Sequence, residues 1–207
     1  MMYDFTIIGG GIAGISAAAR LAPMGKTLVL EAENVLAYHA SGRSAALFEP
    51  FYGAHSVNDL SLAGENYFRN AHGGVLSKRG IMIIARKGEE AQLKTEAASF
   101  RMNHITVNAA VALIPILDSS VLTQAAISNN AEDMDTDLLI QNFARDARAN
   151  GTEIRTKTPV TAIKKTKNSW IISSGEYQVE TKTVINAAGA WADEIAIIAG
   201  IGPIGLT

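Results

Sequence analysis

The chain has 207 residues, enough for one large domain or one and a half. Hydrophobic residues make up 48% and charged residues 18%, so the chain can bury a core and is not disordered by composition. The formal net charge of −2 offers no electrostatic basis for binding nucleic acid or an anionic membrane, and the absence of cysteine excludes disulfides, cysteine-ligated metal centres and a thiol nucleophile.

The four histidines show no metal-ligand spacing, so no metal site is predicted. The N-terminus carries no basic segment typical of a targeting signal. The longest apolar run, residues 107–117, is far shorter than the roughly 20 residues of a membrane span. These features predict a soluble, cytoplasmic protein without an integral membrane segment, and peripheral attachment through a partner stays open.

The first thirty residues predict a β–α–β unit. Residues 3–8 form a short apolar run that predicts a buried strand stopped by the glycines that follow. Residues 12–21 are rich in alanine and predict a buried helix. Residues 26–30 predict a second strand with Glu31 at its end. A parallel sheet therefore begins here.

The rest of the chain alternates between helical and strand patterns. Helices are predicted at residues 57–70 and 88–101, and a further helix follows the acidic segment 130–137 and ends at residues 150–151. Strands are predicted at residues 80–85, 123–127, 153–156, 160–167, 169–173, 177–180 and 183–186. Residues 32–53 show neither period and predict a long functional loop. Asp135, in the acidic segment 130–137, is predicted to cap the helix that follows it rather than to bind a metal.

Gly9, Gly11 and Gly14 match the GxGxxG pattern, and they lie between the predicted first strand and first helix. In this pattern the first glycine makes the turn, the second lets the backbone approach a pyrophosphate, and the third lets helix and strand pack closely. Glu31 would accept hydrogen bonds from a ribose diol and repel a 2′-phosphate. The spacing favours dinucleotide binding over the alternative, a glycine-rich turn with a surface glutamate.

Two later segments favour FAD over NAD. Residues 38–46, YHASGRSAA, carry hydroxyls, small residues and one arginine directly after the second strand, which suits a backbone wrapped around a cofactor. Residues 183–191, TVINAAGAW, predict an apolar strand running into small residues that allow close approach of a cofactor or a neighbouring chain.

Together with the GxGxxG start and the DMDTDLL helix entry, these segments resemble the FAD-dependent D-amino-acid oxidase/dehydrogenase superfamily, the DAO family. Within it the chain is similar to bacterial D-amino-acid dehydrogenases, including the D-arginine type. The resemblance covers essentially the whole chain. GxGxxG is shared by many families, whereas the GRSAA and NAAGAW segments are much more specific.

The resemblance implies a role for each matching position. The FAD diphosphate and the adenosine ribose would meet the glycine-rich turn and the end of the second strand, at Gly9, Gly11, Ile12, Ala13, Gly14, Glu31 and Ala32. The diphosphate and flavin would lie along Ser41, Arg43, Ser44, Ala45 and Ala46. Val160 would meet the adenine through its backbone, Ala187, Gly189 and Trp191 would lie near the ribityl chain and diphosphate, and Tyr52 near the substrate pocket.

Several single residues qualify this resemblance. Leu47 stands where the D-arginine type carries a histidine, and Ile81 aligns with an acidic residue of that type, so neutral, apolar substrate side chains are expected over cationic ones. His39 is expected to be hydrogen-bonded or exposed rather than a flavin attachment point. Trp191 either contacts the cofactor or fills space beside the sheet, and Tyr52 either contacts substrate or packs in the core. No catalytic residue is predicted, because no base is needed if the amine arrives neutral.

The resemblance also implies that the chain looks like the N-terminal half of a longer protein. Family members continue into the rest of the substrate domain, including an arginine that pairs with the substrate carboxylate. The predicted fold is α/β, with a discontinuous Rossmann-like FAD-binding domain at residues 1–78 and 131–200, an incomplete substrate domain at 79–130, and the start of the missing part at 201–207. A fragment, a truncated reading frame and one half of a split protein remain open alternatives.

The activity that the family implies is FAD-dependent oxidative deamination of a D-amino acid, in which a hydride passes from Cα to flavin N5 and the imino acid hydrolyses to a 2-oxo acid and ammonia. The alternative is a non-catalytic FAD-binding fragment or subunit whose site another chain completes. An NAD-dependent dehydrogenase is disfavoured by the GRSAA and NAAGAW segments. Without the missing half, apolar surface at residues 80–85 and 195–206 would be uncovered, which predicts self-association. The electron acceptor stays open.

Overall fold

The computed structural model describes residues 2–206. Its strands are β1 (Met2–Ile8), β2 (Thr27–Leu30), β3 (Leu47–Phe48), β4 (Leu76–Lys78), β5 (Ile81–Arg86), β6 (Asn103–Ile105), β7 (Leu122–Ser128), β8 (Glu132–Met134), β9 (Glu153–Arg155), β10 (Ala162–Lys165), β11 (Trp170–Ser174) and β12 (Tyr177–Asn186). Its α-helices are α1 (Ile12–Leu21), α2 (His55–Asn70), α3 (Glu90–Ser99), α4 (Val107–Leu113), α5 (Thr136–Ala149) and α6 (Ala192–Ile198). No helix within residues 2–206 is both long and apolar enough to cross a lipid bilayer.

The chain divides into two compact units, residues 2–44 with 136–206 and residues 45–135. The first unit is built on a six-stranded sheet in the order β10-β11-β12-β1-β2-β9. Strand β1 is parallel to both β12 and β2, and β2 is parallel to β9. The hairpin β10–β11 continues the sheet antiparallel to β12. The carboxyl ends of the central parallel strands therefore lie at one edge of the sheet.

Small and apolar side chains explain why the first helix packs tightly in this unit. Helix α1 buries Gly14, Ile15, Ala18 and Ala19, and it contacts α5, β1 and β2. A continuous apolar core is formed by Tyr3, Ile8, Leu28, Leu30, Ile163, Ile172 and Val179, with Ile195 of α6 packed against it. Burial of such side chains is the main stabilising contribution to a domain of this kind.

The second unit contains two three-stranded sheets, β3-β8-β4 and β5-β7-β6, and every strand pair in them is antiparallel. Helix α3 buries Leu93 and Ala97 against Ala85 of β5 and Ala126 of β7. Helix α2 buries none of its residues within this structure. This unit thus has its own small core.

The structure confirms the α/β fold and the β–α–β start that the sequence predicts. It joins the two strands predicted at 177–180 and 183–186 into the single long strand β12. It also adds elements that the sequence did not predict: the short strands β3, β4, β6 and β8 and the helix α4. The two compact units have boundaries other than those of the predicted FAD-binding and substrate domains, and that functional division stays a prediction.

Candidate cofactor-binding site

A cavity of about 720 Å³ opens in the first unit, at the carboxyl ends of β1, β2 and β12. This edge of an open parallel sheet is where ligands of such folds bind, and the volume is in the usual range for a small-molecule site. The cavity is lined by eleven of the residues that the sequence predicted as cofactor-binding: Gly9, Gly11, Ile12, Ala13, Glu31, Ala32, Ser41, Val160, Ala187, Gly189 and Trp191. The structure therefore brings together residues that are up to 182 positions apart in the chain.

Five predicted cofactor-binding residues do not line this cavity: Gly14, Arg43, Ser44, Ala45 and Ala46. Arg43 Nε donates a hydrogen bond to the Tyr38 carbonyl at 3.0 Å, and its guanidinium group lies over the Tyr38 ring. Ala45 and Ala46 belong to the second compact unit. The roles of these five residues toward FAD stay predictions.

The glycine-rich turn is packed directly against the segment that follows β12. Gly9 has a φ of +107°, which L side chains rarely adopt, and a Cβ there would overlap the carbonyl oxygen of Ala187. A Cβ on Gly14 would in turn overlap the carbonyl oxygen of Gly9. These two glycines are therefore required by the close approach of backbone to backbone at the end of β1.

Glu31 is held in a fixed orientation by two backbone groups. Its side chain is part of a residue only 9% exposed, and Oε2 accepts a hydrogen bond from Gly10 N at 2.5 Å while Oε1 accepts one from Glu33 N at 2.8 Å. Each carboxylate oxygen has a further lone pair, so both can still accept a hydrogen bond from a ligand hydroxyl. The arrangement suits a ribose diol.

Gly10 has a role that the GxGxxG pattern does not indicate. A Cβ at this position would lie 2.6 Å from Leu36 Cδ2 and 2.8 Å from Glu31 Oε2. Only the run of three consecutive glycines in the sequence could have suggested that the middle one is also needed. The turn therefore determines the position of the Glu31 carboxylate as well as the path of the backbone at the site.

The N-terminus of α1 faces the cavity with space in front of it. Ser41 Oγ accepts a hydrogen bond from Ile12 N at 3.0 Å. A Cβ on Gly11 would meet Ser41 Oγ at 3.2 Å, with no other heavy atom of residues 2–206 within 4 Å apart from its chain neighbours. The positive end of a helix, an open backbone and a hydroxyl that can donate a hydrogen bond are features that bind a diphosphate. Together with Glu31, these residues fit an adenine dinucleotide.

His39 is hydrogen-bonded, as the sequence analysis expected. Its Nε2 lies 2.8 Å from Glu33 Oε1, and its ring centroid is 4.6 Å from that of Trp191. Trp191 lines the cavity and is 44% exposed, and its contact with the cofactor stays a prediction.

The predicted substrate residues all lie in the second unit, on separate elements. Leu47 opens β3, and Ile81 opens β5 and pairs with Ser128 of β7. Tyr52 is 64% exposed, and its ring stacks on Phe100 at a centroid distance of 5.6 Å. Their role toward substrate stays a prediction.

Glu49 is a buried acid in this unit that the sequence analysis did not single out. It is only 5% exposed, and its Oε2 has no hydrogen-bond partner within the described residues, while Oε1 accepts a bond from Phe51 N at 3.3 Å. Burial raises the pKa of the Glu49 carboxyl, against smaller lowering effects of hydrogen bonds from Phe51 and Ser128. In the sequence, its position between Phe48 and Pro50 could have indicated that Glu49 is buried.

Several solved structures share this fold. L-α-Glycerophosphate oxidase from Mycoplasma pneumoniae, solved with FAD bound, matches with a TM-score of 0.84 at 20% identity, over 97% of this chain and 57% of its own. Glycine oxidase from Geobacillus kaustophilus matches with a TM-score of 0.83 at 20% identity, over 96% of this chain and 58% of its own. L-Proline dehydrogenase from P. horikoshii matches with a TM-score of 0.81 at 22% identity, over 96% of this chain and 56% of its own.

The chain thus spans a little over half the length of these proteins. Its sequence matches the family described as FAD dependent oxidoreductase, DAO, over residues 4–204. The chain therefore belongs to the DAO family of FAD-dependent oxidoreductases, and its cofactor is FAD.

Proposed function

We propose that the cavity of the first unit holds FAD, with the adenosine ribose at Glu31 and the diphosphate at Gly11 and the start of α1. The observation that carries this placement is the Glu31 carboxylate, which is buried in the cavity wall and oriented by Gly10 N and Glu33 N. The open space at Gly11 and the Ser41 hydroxyl support the diphosphate position. Val160 and Trp191 then line the remaining wall.

The proposed reaction is the oxidation of a D-amino acid by removal of a hydride from its Cα, after which the imino acid hydrolyses to a 2-oxo acid and ammonia. FAD, when bound, would accept the hydride. Two similar solved proteins, a glycine oxidase and an L-proline dehydrogenase, are named for amino-acid substrates, which supports an amino-acid substrate, and the D configuration is what the family resemblance implies. Leu47 and Ile81 support a neutral, apolar substrate side chain over a cationic one.

This activity is proposed for a protein that carries the whole substrate site. The chain covers 57% of the first of the similar structures, and no residue of this chain is proposed to grip the substrate carboxylate. Holding the reacting Cα–H against the cofactor contributes roughly 7–11 kcal/mol in well-oriented reactions. A FAD-binding subunit completed by another chain is therefore the second candidate function.

The cofactor placement is tested by titrating the chain with FAD and with FMN, which lacks the adenosine. The Glu31→Gln variant loses a charge-assisted hydrogen bond to the ribose, so its FAD affinity should fall about 10- to 150-fold while its FMN affinity stays unchanged. Glu194→Gln is the matched control, because Glu194 lines the same cavity and is assigned no contact with the ribose. Equal losses for FAD and FMN in Glu31→Gln would contradict the placement.

The substrate class is tested by anaerobic mixing of the FAD-loaded chain with neutral and basic D-amino acids, L-amino acids and glycerol 3-phosphate. A protein that carries the complete active site should bleach its flavin more rapidly with neutral D-amino acids than with the other compounds. The chain alone should do so far more slowly than a protein with the full substrate domain. Prompt bleaching by the isolated chain would show that it needs no further residues, and bleaching only by glycerol 3-phosphate would contradict the amino-acid proposal.

A further inference from the structure

An aromatic contact crosses the end of the central strand of the first unit. His39 follows β2 and Trp191 follows β12, and their ring centroids are 4.6 Å apart. Strand β1 lies between β2 and β12 in the sheet, so this contact joins the segments that follow the two strands flanking β1, and the glycine-rich turn follows β1 itself. Both rings line the dinucleotide cavity. The contact thus joins two walls of the cavity that are otherwise separate in sequence.

Glu33 connects the His39–Trp191 contact to Glu31 in the cavity wall. Its carboxylate Oε1 lies 2.8 Å from His39 Nε2, and its backbone N donates to Glu31 Oε1. The His39 and Glu33 side chains are 41% and 36% exposed, so the pair lies at the surface and not in the core. A pair so exposed contributes little to overall stability, but it restricts the orientation of the imidazole ring that meets Trp191.

We propose that Glu33 and His39 are positioning residues that hold Trp191 across the dinucleotide cavity. The three side chains form a strap, and this strap slows the release of bound FAD. The inference rests on the proposed placement of FAD in this cavity. A ligand lying along the glycine-rich turn is covered by the His39–Trp191 contact, which must separate before the ligand leaves. Breaking the strap therefore raises the dissociation rate and leaves the folded chain otherwise intact.

The test measures FAD dissociation from the loaded chain after mixing with an excess of a FAD-scavenging apoflavoprotein. Loss of a hydrogen-bonded pair this exposed should accelerate release about two- to fivefold in Glu33→Ala. This variant keeps the backbone N that holds Glu31. Glu33→Gln keeps a side-chain acceptor for His39 and should release FAD at nearly the wild-type rate. His39→Ala should release FAD at least as fast as Glu33→Ala, and the double variant no faster than His39→Ala, because both remove one coupled unit.

Two controls separate the strap from charge and from general stability. Glu176→Ala removes an exposed carboxylate from the turn between β11 and β12, outside the cavity, and its release rate should equal that of the wild type. The unfolding midpoint of each FAD-free variant should also match the wild type. Equal release from wild type and Glu33→Ala, or equally fast release from Glu33→Gln and Glu33→Ala, overturns the strap. Failure of the wild-type chain to bind FAD overturns the proposed function and the strap with it.

Discussion

Replacing the middle glycine of the turn by alanine should destabilise the folded chain before any ligand is added. Gly10 has no left-handed backbone, so the effect of Gly10→Ala comes from its Cβ, which would lie 2.8 Å from Glu31 Oε2 and 3.1 Å from Glu31 Cβ. The carboxylate cannot move aside without giving up a bond from Gly10 N or Glu33 N. Loss of one hydrogen bond to this buried charge costs about 1.5–3 kcal/mol.

That loss corresponds to a fall of roughly 3–12 °C in the unfolding midpoint of a chain of this size. Gly11→Ala is the matched control, because both substitutions restrict the unfolded chain equally, and the new Cβ of Gly11→Ala meets only Ser41 Oγ at 3.2 Å. Thermal unfolding of the two FAD-free variants, followed by circular dichroism, should show the fall only in Gly10→Ala. Titration should show weakened FAD binding in Gly11→Ala, whose Cβ enters the proposed diphosphate position. Equal midpoints for the two variants would refute the role assigned to Gly10.

Two further predictions concern buried acidic and phenolic groups. Tyr3→Phe removes the bond that Tyr3 Oη donates to Glu153 at 2.5 Å, and it should lower the free energy of unfolding by about 1 kcal/mol at pH 7. That bond holds the pKa of Glu153 below its ordinary value of 4.5, so the difference in the free energy of unfolding between Tyr3→Phe and wild type should shrink as the pH falls below 4.5. A difference that persists unchanged at pH 3 in denaturant unfolding would contradict this role of the bond. Glu49→Gln should raise the unfolding midpoint at pH 7. Burial raises the pKa of Glu49, so the folded chain favours the protonated carboxyl, and the stability that this form contributes is complete below pH 4.5 and is lost as the pH rises. The glutamine stays neutral at every pH. A midpoint difference independent of pH between 4 and 7 would exclude this explanation.

The β–α–β start could be read from the sequence because its determinants are local. An apolar run, three glycines, an alanine-rich segment and a second apolar run each specify their own conformation, and the acid at residue 31 follows the second strand directly. The same holds for the amphipathic pattern of α5 and for most strands after residue 152. Recognition of the GRSAA and NAAGAW segments added the cofactor, and eleven of the sixteen residues predicted to bind it line one cavity.

The elements that the sequence did not reveal depend on partners far along the chain. Strand β8 lies in an acidic segment that reads as loop, and it is a strand because β3 and β4 pair with it on both sides. Strand β12 continues through the polar pair Thr181 and Lys182, where a local pattern suggests a break. Thr181 is fully buried there, paired with Tyr3 of β1 and Trp170 of β11. Cross-strand pairing of this kind overrides local propensity.

The electrostatic details of the site were decided by the tertiary structure alone. The sequence indicates that Glu31 ends a strand, but only the packing of the turn shows that Gly10 N and Glu33 N orient its carboxylate. The contact of His39 with Trp191 joins residues 152 positions apart, which no local pattern encodes. Spacing along the chain determines which residues can form a strand, turn or helix, whereas hydrogen bonds and ring contacts between segments arise only when the sheet order brings those segments together.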